Sequence, residues 1–184
     1  MEHDRSCASL EEILKNDCVA CMRDYHEFNP KVISERLSRK PYDDTIVNDI
    51  IIHNSTHVLA YLIEREDPCL EILESVDIGV TLGRALGAAC VDIVWMLYDY
   101  YVQRWPEQTK DVICYAYGYQ TLLYPFLLAV DPVLVNRRSA HITHLLSPIH
   151  VAAWIGNAFF CDVLCAAGTN LIDARLRNVT PVSI

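Results

Sequence analysis

A helix–turn–helix pattern recurs along this chain at intervals near 33 residues, and that period restricts the possible fold more than any single motif. The units start near 45, 80, 111, 147 and 180, with spacings of 35, 31, 36 and 33 residues. Unrelated helix pairs would not fall into one period, and short units that recur at this spacing are built to stack on one another. The sharpest copy begins at Ser147, an N-cap candidate followed by Pro148 at the position where a helix tolerates a missing donor. Ile149, Ala152 and Ala153 give the first helix a small apolar face, and Gly156-Asn157 turns the chain. Phe160, Val163, Leu164 and Ala167 then recur at helical spacing, and Gly168 suits a left-handed stop. Helices of about three turns are not stable alone in water, so each unit needs neighbours.

The remaining units are phased on that copy. Thr45–Asn54 and Thr56–Glu64 read as an inner and an outer helix, closed by Asp67-Pro68. Val80–Cys90 and Val91–Tyr98 form the next pair, with Gly79-Val80-Thr81 as its entry. Counting the N-terminal segment as the first unit, Asp111–Ala116 and Thr121–Leu128 form the fourth, with Pro125 near the first turn of its second helix and Asp131-Pro132 as its stop. Asn54, Ala89 and Gln120 stand where the last unit has its interhelical glycine, and of these Asn54 tolerates a left-handed backbone best. The chain before Thr45 contains a capping box, Ser9 with Glu12, then a helical segment from Asp17 to Tyr25 that Phe28-Asn29-Pro30 breaks. The expected organisation is a helical N-terminal segment or degenerate capping repeat over 1–44, then a repeat domain over 45–184.

Ser147-Pro148-Ile149-His150-Val151-Ala152, the interhelical Gly156-Asn157, the closing Ala167-Gly168 and the new start Thr180-Pro181 together resemble the ankyrin repeat. Asp92-Ile93-Val94 and Ala85 carry a fainter likeness in the third unit. The resemblance implies an all-α solenoid of stacked helix–turn–helix units that acts as a protein-interaction module, either adaptor or inhibitor. It also implies a structural role for His150, whose ring would bond the backbone and the capping hydroxyl. Residues just before the interhelical turn, and those at the hairpin tips, would contact the partner. On this register they are His53, Tyr119, Trp154 and Ile155, joined at the tips by Thr143, His144, Leu176 and Arg177. The unit opened at Thr180 stops at Ile184, as expected of a five-residue cap or a piece of a longer array.

Composition narrows the function further. A 52% hydrophobic fraction can supply a sizeable core, and a formal charge of −9 with no basic run disfavours nucleic acid and anionic membrane as partners. The longest apolar runs fall well short of the ~20 residues that span a bilayer. Most of the eight cysteines lie inside apolar helical patterns, Cys90, Cys114, Cys161 and Cys165 among them, which points to a reducing compartment, cytoplasmic or nuclear. No nucleophile elbow, glycine-rich phosphate loop or apolar-flanked carboxylate pair is present, so neither an enzyme nor a cofactor is expected, and the chain should act as a monomer on another protein. The alternative is a metal- or redox-sensing helical protein using Cys18-Val-Ala-Cys21 with His26.

Overall fold

The computed structural model describes residues 9–29, 46–66, 70, 75–114, 122–138 and 147–169, and among these all regular structure is helical. The elements are α1 (Leu10–Lys15), α2 (Val19–Phe28), α3 (Ile46–His53), α4 (Thr56–Glu64), α5 (Ser75–Gly87), α6 (Val91–Arg104), α7 (Pro106–Asp111), α8 (Leu123–Val130), α9 (Pro148–Trp154) and α10 (Ala158–Ala166). Two 3-10 turns, Val112–Cys114 and Pro132–Asn136, follow α7 and α8.

Local chemistry explains the helix boundaries. Ser9 caps α1 through its hydroxyl to the Glu12 N–H, and the Glu12 carboxylate accepts the Ser9 N–H in return, which completes the capping box. Pro106 and Pro148 stand in the first turns of α7 and α9, where no intrahelical donor is lost. Between paired helices the chain reverses through one geometry four times. Asp17, Asn54, Ala89 and Gly156 all take φ between 47° and 69°. At each turn the left-handed residue donates its N–H to the carbonyl three residues back. The next residue donates to the carbonyl five back, at 2.9–3.2 Å throughout. This nested pair of bonds satisfies the orphan carbonyls at a helix end, and only a left-handed residue closes it.

Side chains at these turns also join one helix pair to the next. The buried Ser55 hydroxyl donates to the Leu14 carbonyl at 2.6 Å, and the Cys90 thiol approaches the Ile51 carbonyl at 3.4 Å. The two acceptors lie three residues before their own left-handed residue and the two donors one residue after theirs, so both links are made in the same register. Asp17 adds a third link: its carboxylate accepts the N–H groups of His57 and Val58 at 3.0 and 2.8 Å, capping α4 from the preceding turn.

Apolar packing follows the same order. α1 lies on α3, α3 on α5 and α5 on α7, while α2 lies on α4 and α4 on α6. Leu14, Ile50, Leu82 and Ala85 are buried on the first helices of their pairs, and Met22, Leu59, Leu62, Ile93 and Leu97 on the second. Rings link the later second helices: Phe126 of α8 meets Trp95 and Tyr98 of α6 edge-on, and Tyr124 stacks on Phe160 of α10 with centroids 3.5 Å apart. After the second 3-10 turn, Arg137 reaches back to the buried Asp111 at 3.0 Å and to Glu107 at 2.6 Å, so the Asp111 carboxylate has a cation beside it.

Several boundaries differ from the sequence expectation: α6 runs six residues past Tyr98 to Arg104, and Asp17 forms a left-handed turn ahead of α2 instead of opening that helix. The third pair begins at Ser75, not near 80, and Gly79-Val80-Thr81 lies inside α5, where the Thr81 hydroxyl donates to the Asp77 carbonyl at 2.9 Å. Ile78, Leu82 and Ala85 keep one face buried through the glycine, and that burial outweighs glycine's weak helix propensity. In the fourth pair Asp111 ends a helix instead of starting one, because Pro106 nucleates α7 five residues earlier and the chain tightens into a 3-10 turn after it. Gln120, Asp67-Pro68 and the ends of the expected helices at 115–116 and 121 lie outside the described residues, as do 30–45.

Three outcomes follow for stability. Ala89 carries a left-handed backbone that costs an L-residue about 1–2 kcal/mol, partly offset by the greater unfolded-state freedom of glycine. Urea denaturation should therefore find Ala89→Gly more stable by about 0.5–1 kcal/mol. Gly156→Ala should be less stable by about 1 kcal/mol, since nothing lies within 4 Å of the added Cβ and backbone strain is the only cost. Partial burial works to raise the pKa of Asp17, but the N–H groups of His57 and Val58 and the His57 ring outweigh it and hold the carboxyl below its ordinary 3.8. A depressed carboxyl stabilises the fold above its unfolded pKa and loses that contribution as pH falls through the folded one. Asp17→Asn should thus flatten the decline in stability below about pH 4, which acid titration followed by circular dichroism would detect.

Candidate functional site

The positions singled out for partner contact lie where α3 and α9 run into their left-handed turns. His53 is the last residue of α3, half-buried, one position before Asn54. Trp154 ends α9 and is 73% exposed, and Ile155 follows it as the C-cap, one position before Gly156. Tyr119, Thr143, His144, Leu176 and Arg177, and the second start at Thr180-Pro181, lie outside the described residues.

The motif around Ser147 holds these side chains in place. Ser147 and His150 are both buried, and the ring Nδ1 of His150 lies 2.7 Å from the Ser147 hydroxyl and accepts the Ser147 N–H at 3.3 Å. Pro148 and Ala152 are buried on the same short helix, and Gly156 and Gly168 take φ of 69° and 88°. Asn157 caps α10 by accepting the Phe160 N–H at 3.0 Å, and the Thr169 hydroxyl donates to the Leu164 carbonyl at its other end. Trp154 is therefore an exposed ring on a helix fixed at both termini.

Several other exposed apolar side chains lie at helix boundaries. Ile52 stands two residues before its left-handed turn, as Trp154 does. Val91 begins α6, Leu122 precedes α8, and Phe159 is the second residue of α10. Ile52, Val91, Trp154, Ile155 and Phe159 make five of the nine large hydrophobic residues exposed among the described ones, and each lies within three residues of a left-handed interhelical turn. Ile52, Val91 and Phe159 were not singled out from the sequence, since each sits in an apolar run. The signal that could have found them is their distance from the turn, counted in the register set by Gly156. Trp95 is also exposed, but its ring lies against Tyr98 and Phe126 and fills space between helices.

The cysteines divide by environment. Cys90 and Cys114 are buried, as a small hydrophobe would be, and Cys161 packs partly against the core. Cys165 is exposed, so the expectation that it packs beside Cys161 is corrected: α10 turns its second cysteine outward. Cys18 is the N-cap of α2 and its sulfur lies 2.9 Å from that of Cys21. Among the described residues no group of three or more His, Cys, Asp or Glu is placed to hold a metal ion. The ring of His26 lies instead 5.9 Å from that of Tyr61, so the Cys18/Cys21/His26 metal set of the alternative reading does not assemble among the described residues. Among the same residues no helix is long and apolar enough to cross a membrane.

Comparison of the chain with family models, with curated proteins and with solved structures returned no match. Function must therefore be argued from the site alone.

Exposure separates two aromatic residues of the last pair. Phe160 is fully buried against Tyr124, and Phe160→Ala should cost about 3–5 kcal/mol. Trp154→Ala should change stability by less than about 0.5 kcal/mol. Paired chemical denaturation curves would show whether the exposed tryptophan contributes to the fold.

Proposed function

We propose that this chain is a non-enzymatic protein-interaction module, an ankyrin-type solenoid in which the helix pairs stack in register and present their interhelical turns along one edge to a partner protein. The observation that carries this reading is the concentration of exposed Ile52, Val91, Trp154, Ile155 and Phe159 beside those turns. Large apolar side chains kept in water on short, capped helices have no value to the fold, whereas a partner's groove can bury them. Four copies of one turn geometry and two side-chain links in one register support regular stacking. On that reading His53 and Ile155, each one residue before a left-handed position, and Ile52 and Trp154, each two before, form two rows along one edge.

Binding would be passive. A surface held by caps and nested turns loses little conformational freedom when a partner docks, so most of the apolar burial appears as affinity. Trp154 would be the principal anchor, because tryptophan combines large area with few rotatable bonds. The module would work as a monomeric adaptor or inhibitor in a reducing compartment such as the cytoplasm.

Affinity capture from cell extract tests this directly, with the wild-type chain and a Trp154→Ala/Ile155→Ala variant as paired baits. A protein retained by the first and reduced at least about tenfold on the second, with equal bait stability, is the expected outcome. If both baits retain the same proteins in the same amounts, the edge is not the binding surface.

A further inference from the structure

Cys18 and Cys21 occupy the N-cap and third positions of α2, a ten-residue helix, and their arrangement has chemical content beyond packing. The Cys18 sulfur accepts the Cys21 N–H at 3.4 Å and lies 2.9 Å from the Cys21 sulfur, and both side chains are half-buried, not sealed in the core. A disulfide requires about 2.05 Å between sulfurs, so closing the bond needs a movement of only about 1 Å, with the backbone already bent at the helix entry. We propose that Cys18 and Cys21 form a thiol–disulfide exchange site: a reversible internal disulfide, made and broken by small-molecule disulfides and thiols such as the glutathione couple, that fixes the first turn of α2.

The chemistry balances in two displacements. The Cys18 thiolate attacks one sulfur of oxidised glutathione, giving a Cys18–glutathione mixed disulfide and releasing one glutathione thiolate. Cys21, deprotonated to solvent, then attacks the Cys18 sulfur, forming the internal disulfide and expelling the second glutathione thiolate. Two protein thiols are oxidised and one small disulfide is reduced to two thiols. The geometry assigns the order. The Cys21 thiol beside the Cys18 sulfur, with the Cys21 backbone N–H that this sulfur accepts, favours the Cys18 thiolate and holds its pKa below the ordinary thiol value, and the same contact pushes Cys21 up. Cys161, by contrast, is raised by burial and by the nearby Cys165 and Asp162. Asp17, next in sequence to Cys18, caps α4 through its carboxylate, so the pair stands at the joint between the first two helix pairs.

Trypsin isolates the pair, since Lys15 and Arg23 bracket an Asn16–Arg23 peptide holding both sulfurs, while Cys161 and Cys165 fall in another peptide. The native full chain is equilibrated in glutathione buffers of graded oxidised-to-reduced ratio, acid-quenched, alkylated and analysed by mass spectrometry. Asn16–Arg23 should appear lighter by two hydrogens and unalkylated, in a fraction that rises with oxidised glutathione and returns to zero with excess dithiothreitol. Half-conversion should come at a ratio about tenfold lower for the native chain than for the urea-unfolded one, because the fold supplies the alignment. In single variants, Cys21→Ser should trap one glutathione on Cys18 several-fold faster than Cys18→Ser traps it on Cys21. A peptide that stays fully alkylated at every ratio while circular dichroism reports a folded chain overturns the proposal, as does equal half-conversion in native and unfolded chains.

Discussion

The left-handed residue between paired helices is the constraint on which the rest of this structure depends. One residue with φ near +55° reverses the chain, satisfies two helix-end carbonyls and delivers the next residue directly to the N-cap of the following helix. The same few atoms therefore end one helix, begin another and set the angle between them. With that geometry fixed, the apolar faces of each pair point toward the neighbouring pairs, and helices too short to survive alone acquire a core. Four different residues occupy the position. Glycine adopts it freely, asparagine and aspartate adopt it at small cost, and alanine is the strained member.

Polar groups connect the pairs where apolar packing would leave them loosely registered. Hydrophobic burial is non-directional and would tolerate a slide of one helix along another. The Ser55 hydroxyl on the Leu14 carbonyl, the Cys90 thiol near the Ile51 carbonyl and the Asp17 carboxylate at the start of α4 do not tolerate it. Further along, the ring contacts of Phe126 and Tyr124 with α6 and α10 have the same function through shape, and the Arg137 guanidinium ties the segment after α8 back to Asp111. The contacts thus change from hydrogen bonds to rings along the chain, although the helix-pair plan does not.

What the sequence made legible was what local chemistry decides. The Ser9–Glu12 capping box and the helix ends at Asn54 and Gly168 follow from residue types with one strong preference, the Ser147–His150 bond was implied by the resemblance, and the structure has them where they were read. The period also located the turns at Asn54, Ala89 and Gly156, although alanine itself gives no left-handed signal, but it did not find the turn at Asp17. What remained illegible depends on partners distant in the chain. The start of α5 was misplaced because a glycine and a threonine inside it look like an entry, and only burial of Ile78 and Leu82 carries the helix through them. Asp17 as a cap for α4 depends on residues about forty positions away. At the candidate edge, Trp154 and Ile155 were found from their place before a recognisable Gly-Asn, whereas Ile52 was hidden by an aliphatic run in which every residue looks like core.

The Ile51 carbonyl receives two donors, the Asn54 N–H from its own turn and the Cys90 thiol from the next, and the Leu14 carbonyl does the same for Asp17 and Ser55. One oxygen thus belongs to two reversals at once. Opening either reversal shifts the oxygen and weakens the bond that the other has with it. Opening of one pair is therefore coupled to its neighbour, so the cooperative unit extends beyond a single helix pair.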